Sequence, residues 1–187
     1  MTSTIIPTKD VAALLRKELR AAFSGVKFSV RCATGTAAAW INVTYDDGPT
    51  SLQVDAITRK FQGRTFNSQT DSYDDNGTAL IAGDRDELPT EVWYGCDGII
   101  TTRNYTAAGH LAAQRVIRED SNMRHLVLCD EHGTLNDRSG DLTDGHAEEF
   151  SAAGRAWAYP YLSAWEAVRF VLERVDLTPA ATTVTNQ

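Results

Sequence analysis

Within the first 45 residues the hydrophobic period changes once, and that change constrains the fold more than any other feature of the chain. From Thr8 to Gly25, TKDVAALLRKELRAAFSG places Val11, Ala12, Leu14, Leu15, Leu19, Ala22 and Phe23 at helical spacing, so one side of a helix is apolar. Immediately afterwards VKFSVRC sets Val26, Phe28 and Val30 against Lys27, Ser29 and Arg31, and AAWINVTY sets Ile41 and Val43 between polar neighbours. Alternation of this kind belongs to half-buried strands. A helix followed by strands that each hide one face requires a helix laid on a sheet. Thr8 is expected to cap the helix and Gly25 to end it.

Downstream, DDGPTSLQVDAITRKFQG has the look of a ligand loop, but its acids would oppose a phosphate and it lacks the run of glycines that delivers successive N–H groups. It reads better as punctuation: Asp47-Gly48 turns the chain, Pro49 enters a helix, Leu52, Val54, Ala56, Ile57 and Phe61 form its apolar side, and Gly63 stops it. Arg64 to Asn76 is polar and reads as a long loop ordered by Phe66 and Tyr73. TALIAG, EVWYG and GIITTR read as strands, the last two either a hairpin or successive strands. Thr106 is placed to cap a helix through Glu119, with Ala107, Leu111, Ala112, Val116 and Ile117 inward. HLVLCDE reads as a strand, DEHGTLNDRSGDLTDG as a loop, and YLSAWEAVRFVLERVDL as a helix. The expected fold class is α+β: a largely antiparallel sheet with helices on one face, in the order α-β-β-α-β-β-β-α, with a C-terminal strand, loop and helix added.

Composition bounds the function. A hydrophobic content of 42% against 23% charged residues suffices for a packed core. No apolar run approaches the ~18 residues of a membrane span, and the start lacks the basic and apolar segments of a secretory signal, so a cytoplasmic protein is expected. Cys32, Cys96 and Cys129 are far apart and without zinc-finger spacing; buried reduced thiols fit that pattern, and no metal or cofactor is expected. The net charge of −7 disfavours general nucleic-acid binding. Its distribution is uneven. Residues 1–31 hold six cations against two acids, whereas Asp71 to Asp97 hold eight acids against Arg85 alone. The acidic stretch suits a solvated loop or a basic partner.

Candidate sites follow from these patterns. A nucleic-acid face would combine Lys9, Arg16, Lys17, Arg20, Lys27 and Arg31, extended by Arg103, Arg115 and Arg118, with Phe28 and Trp40 as stacking platforms that alternation assigns to the core first. Trp157, Tyr159, Tyr161 and Trp165 crowd around Pro160, a cluster that closes a core or binds a protein partner. Asp137 to Glu148 places oxygens like a calcium loop but has Leu142 where such a loop needs glycine. His132 and His146, with Asp130 or Asp137, form the one grouping that suggests a metal-dependent enzyme. No nucleophile elbow, zinc-protease helix or nucleotide-binding glycine pattern is present.

GVKFSVR (Gly25 to Arg31), DGPT (Asp47 to Thr50), KFQG (Lys60 to Gly63) and WYG followed by TTRNYT occur in that order. In order and spacing the chain resembles one of the large polyvalent protein-associated domains, the twenty-ninth type, over about residues 7 to 120. Two segments depart from that pattern: the alanine-rich turn ATGTAAAW, where small hydroxyl residues are usual, and Gly98, where an aromatic is usual. The resemblance implies a component of phage and conjugative-element proteins, and supplies no catalytic residues. The expected organisation is a domain at 7–120, an extension at 121–177 packing on it, and a loose tail at 178–187. The expected function is non-enzymatic: binding of a bacterial host protein, to counteract a defence or redirect a host process. A nucleic-acid module and a metal-dependent enzyme are the alternatives.

Overall fold

The computed structural model describes residues 4–81, 88–120, 127, 129–135, 148–152, 155–159 and 164–178. The chain divides into two compact units, one of residues 1–45 and 52–102, the other of 46–51 and 103–187. The mixture of helices with mostly antiparallel strands is the expected α+β class.

In the first unit, β1 (Thr4–Pro7) leads directly into α1 (Thr8–Ala22), followed by β2 (Ser29–Cys32), β3 (Trp40–Asp46) and α2 (Ser51–Thr58). Then come β4 (Arg64–Asn67), β5 (Ser72–Asp75), β6 (Ala79–Ile81), β7 (Thr90–Gly95) and β8 (Gly98–Asn104). These strands fall into three sheets, ordered β1-β7-β6, β2-β3-β8 and β4-β5. Strand β2 is antiparallel to β3, pairing Val30 with Val43. The Asp97 N–H bonds Ala39 O where β8 and β3 begin, and the Asp47 N–H bonds Asn104 O where they end, so that pair runs parallel.

The alternation in the sequence becomes burial. Ile41, Val43 and Tyr45 are buried while Asn42 and Asp46 are exposed, and Val11, Ala12, Leu15 and Leu19 of α1 join them with Val30, Val54, Phe61, Cys96 and Ile99 in one core. Each fully buried Leu or Val contributes about 1.5–3 kcal/mol relative to exposure.

Several boundaries differ from expectation. Thr8 lies inside α1, with Pro7 at the cap position; its hydroxyl donates to Gly95 O at 2.6 Å, so β7 has taken the group that would have capped the helix. Pro49 precedes α2, which begins at Ser51, and Leu52 is 77% exposed, leaving Val54 and Thr58 as its buried residues. EVWYG and GIITTR are successive strands in different sheets. The polar segment read as a loop is the β4–β5 hairpin, and TIIP, unassigned in sequence, is β1, parallel to β7.

The second unit contains α3 (Ala107–Asp120), β9 (Glu148–Ala152) antiparallel to β10 (Arg155–Tyr159), and α4 (Ala164–Arg174). Ala113 and Ile117 of α3 pack with Val168, Phe170, Val171 and Leu172 of α4. Within HLVLCDE the described residues form no strand: Cys129 makes an isolated bridge with Leu135. The tail from 179 lies outside the described residues.

Candidate functional site

The stretch that resembled a ligand loop is occupied by its own chain. Asp47 adopts a positive φ of 49°, a conformation Asp tolerates at turns, and its carboxylate accepts the Thr106 N–H at 2.9 Å and the Thr106 hydroxyl. Thr106 Oγ1 in turn accepts the Gly109 N–H at 3.3 Å, satisfying a free donor at the start of α3 as expected of a cap. Arg103 donates from Nε to Asp47 O and from Nη2 to Gly48 O, both at 2.8 Å. The DGPT and TTRNYT motifs therefore meet. So do KFQG and WYG: the Phe61 and Tyr94 rings are 5.4 Å apart, and a Cβ at Gly63 would fall 2.3 Å from Tyr94 O, so only glycine fits there.

From Gly63 the chain enters the hairpin that carries the most exposed aromatic surface described. The hairpin is held at its base by Asn76 Nδ2 donating to Gln62 O and by the Asn76 N–H donating to Gly63 O, both at 2.8 Å. Its register pairs Arg64 with Asp75 and Phe66 with Tyr73, which places all four on one face because strand side chains alternate. The Phe66 and Tyr73 rings lie 5.3 Å apart, and Trp40 meets Tyr73 edge-on at 6.1 Å. Phe66 is 51% and Tyr73 48% exposed. Trp40 sits over Gly98, where a Cβ would approach the indole to 2.4 Å. The alanine-rich turn and Gly98 thus come together at one place: the turn leads into Trp40, and Gly98 makes room for it.

Charge surrounds these rings. Arg64 is the hairpin's only cation, and it is shared by Asp75 at 2.9 Å and Asp97 at 3.7 Å. Asp71 lies in the turn, and Asp74 on the opposite face accepts from Asn67 Nδ2 at 2.8 Å. Exposed aromatic rings and a net negative charge therefore share this part of the surface. Sequence reasoning singled out Phe66 and Tyr73 only as ordering a loop; their spacing of seven across a polar turn was the available signal.

The residues proposed for nucleic acid are divided. Lys9, Lys17 and Arg20 are exposed on α1, whereas Arg16 is half-buried and donates to Val30 O at 2.6 Å. Val30 faces the α1 core, so Arg31, next along β2, stands on the opposite face of the sheet. Lys27 is exposed before β2, and Phe28 packs against the core with its ring 5.1 Å from Tyr45. Arg103 does not extend this face, because it is buried in backbone carbonyls; Arg115 and Arg118 are exposed on α3. Trp157 and Tyr159 lie on β10 and Trp165 on α4, with side chains outside the description; Tyr161 lies outside the described residues.

For metal chemistry, His132 is exposed, with Nε2 3.6 Å from Glu131, and Asp130 accepts the His132 and Thr134 N–H groups. Those backbone bonds, Thr134's first, hold the Asp130 carboxyl below its ordinary value. Asp137 and His146 and the calcium-like segment up to residue 147 lie outside the described residues; among the described residues no three ligands gather for a metal. The Cys96 thiol is buried and pushed up to about 11, chiefly by desolvation, so it stays protonated and unreactive at neutral pH. Burial raises Cys129 likewise. Among the described residues no helix is long and apolar enough to cross a membrane.

Residues 6–106 match the model of a family described as large polyvalent protein associated domain 29. Comparisons with curated proteins and with solved structures found no match. The matched span is more than half of the 187 residues and contains both motif pairs and the whole aromatic hairpin. The chain therefore belongs to the large polyvalent protein associated domain 29 family, and with it to the proteins associated with phages and mobile elements.

Proposed function

We propose that this protein is a non-enzymatic interaction protein of phage or mobile-element origin that binds a bacterial host protein, and thereby counteracts a host defence or redirects a host process. The observation that carries the reading is the half-exposed Phe66–Tyr73 pair with Trp40 beside it, on a hairpin whose single cation is already paired. Aromatic side chains are enriched at the centres of protein interfaces because they bury a large area while ordering few torsions. Phe66 gains nothing for the core by standing half in water, and covering it against a partner removes that apolar surface from solvent. The cluster of Trp157, Tyr159, Tyr161 and Trp165 is the second candidate contact.

A pull-down of the tagged protein from bacterial lysate, with and without nuclease, tests this. A nuclease-resistant protein partner is expected, and Phe66→Ser with Tyr73→Ser should reduce its recovery about tenfold or more while leaving the melting curve cooperative. Loss of the partner only in the Trp157→Ala, Trp165→Ala variant moves the contact to the second cluster. Recovery of nucleic acid, with proteins lost after nuclease, transfers the function to the exposed cations of α1.

A further inference from the structure

Beside the aromatic face lies a hollow of about 290 Å³ whose walls include Ile5, Arg64, Asp75, Trp93, Tyr94 and Asp97. It is continuous with the hairpin face, since Arg64 and Asp75 are one cross-strand step from Phe66 and Tyr73. Its volume is at the lower edge of the roughly 300–1,000 Å³ typical of small-molecule pockets, and suits one long side chain.

The charges within it do not balance. One guanidinium serves two carboxylates, at 2.9 Å and 3.7 Å, leaving one negative charge over. All three groups remain partly solvated, with side-chain exposures of 48% for Arg64, 62% for Asp75 and 42% for Asp97, so a second cation can reach the carboxylates without first breaking a buried pair. Ile5 and Trp93 are cross-strand partners and share one face; the Trp93 ring attracts a cation through its face, and Ile5, 69% exposed, offers apolar surface to a methylene stem. The four carboxylates Asp71, Asp74, Asp75 and Asp97 repel a phosphate backbone, which disfavours a nucleotide as occupant.

We propose that this hollow receives an arginine side chain from the partner protein, its guanidinium meeting Asp97 and Asp75 while its stem lies against Ile5 and the Trp93 ring. Arginine fits better than lysine because its planar head stacks on an aromatic ring and bonds a carboxylate in the same plane. This rests on the interaction reading above and names the chemistry of the partner's contact.

The test titrates the full chain with a blocked peptide alternating arginine and serine, beside the same peptide with citrulline or glutamate in place of arginine, following tryptophan emission. Trp93→Phe identifies the reporter. The arginine peptide should bind and change Trp93 emission, bind less tightly as salt rises, and exceed the citrulline peptide about tenfold. Asp97→Asn should weaken it several-fold without moving the melting temperature, because an exposed ion pair contributes little to folding. No binding by the arginine peptide, or equal binding by the citrulline peptide, overturns the proposal on the unmodified protein. If Phe66→Ser loses the host partner while arginine and citrulline peptides are indistinguishable, the hairpin contact stands and the arginine assignment falls. If the arginine peptide binds as described while Phe66→Ser retains the partner, the hollow stands and the hairpin reading falls.

Discussion

Arg103 shows what a single residue does here that its type does not announce. Only 9% exposed, it donates to Asp47 O, Gly48 O, Leu172 O and Val175 O, and its guanidinium lies 5.3 Å from the Tyr105 ring centre. Two of those carbonyls belong to the last turn of α4 and the residue after it, where backbone acceptors lack helical partners and a cation is favoured by the dipole. A side chain with five donors in a rigid fork can serve all four acceptors; an ammonium cannot. Arg103→Leu should therefore cost about 3–5 kcal/mol, by leaving buried carbonyls unpaired, and Arg103→Lys roughly half of that. Urea unfolding followed by circular dichroism measures both. An unchanged midpoint would mean that water satisfies those carbonyls. In the sequence Arg103 is one more cation, indistinguishable from the exposed Arg115 and Arg118.

Among the elements, those with a buried face were legible and those without one were not. Helix α1 and strand β3 carry their period in the sequence because one side of each is apolar throughout. The β4–β5 hairpin is nearly all exposed, so alternation has no apolar side to reveal it; cross-strand pairs hold it instead, Arg64 with Asp75 and Phe66 with Tyr73. Strand β1 is four residues long, and its partner β7 lies far along the chain. The turn from Asp130 to Thr134 shows a pH dependence of its own. Asp130 Oδ1 accepts the His132 N–H at 2.9 Å and the Thr134 N–H at 2.8 Å, and these bonds favour the ionised form, so its folded pKa lies below the unfolded value. The turn's stabilisation is accordingly complete above the ordinary Asp pKa of about 3.9 and is lost as pH falls through the lower folded value. The Thr134 amide shift should hold through that ordinary Asp range and collapse only below it. Asp130→Asn should remove the transition.

At the scale of the whole molecule, the family match and the compact units do not end together. The match stops at residue 106, while the second unit takes residues 46–51 from the middle of the matched span. A chain cut after Thr106 would remove the Leu172 and Val175 carbonyls from Arg103 and α3 from the Asp47–Thr106 cap. Its thermal unfolding should begin lower and be less cooperative than that of the full chain, with a loss of at least about 3 kcal/mol from the two charge-assisted bonds; equal melting curves would show that the matched segment is self-sufficient. The sequence by itself determined the α+β class, the family, most helices, and the reading of DDGPT as punctuation, because periodicity, turn chemistry and motif order are local properties of the chain. Tertiary structure alone decided that Arg103 is buried, that Arg31 stands on the face opposite α1, and that Trp40, Phe66, Tyr73 and Gly98 form one surface. Those outcomes depend on which strands pair and which backbone carbonyls lie within reach, and both are set by contacts between residues distant in the chain.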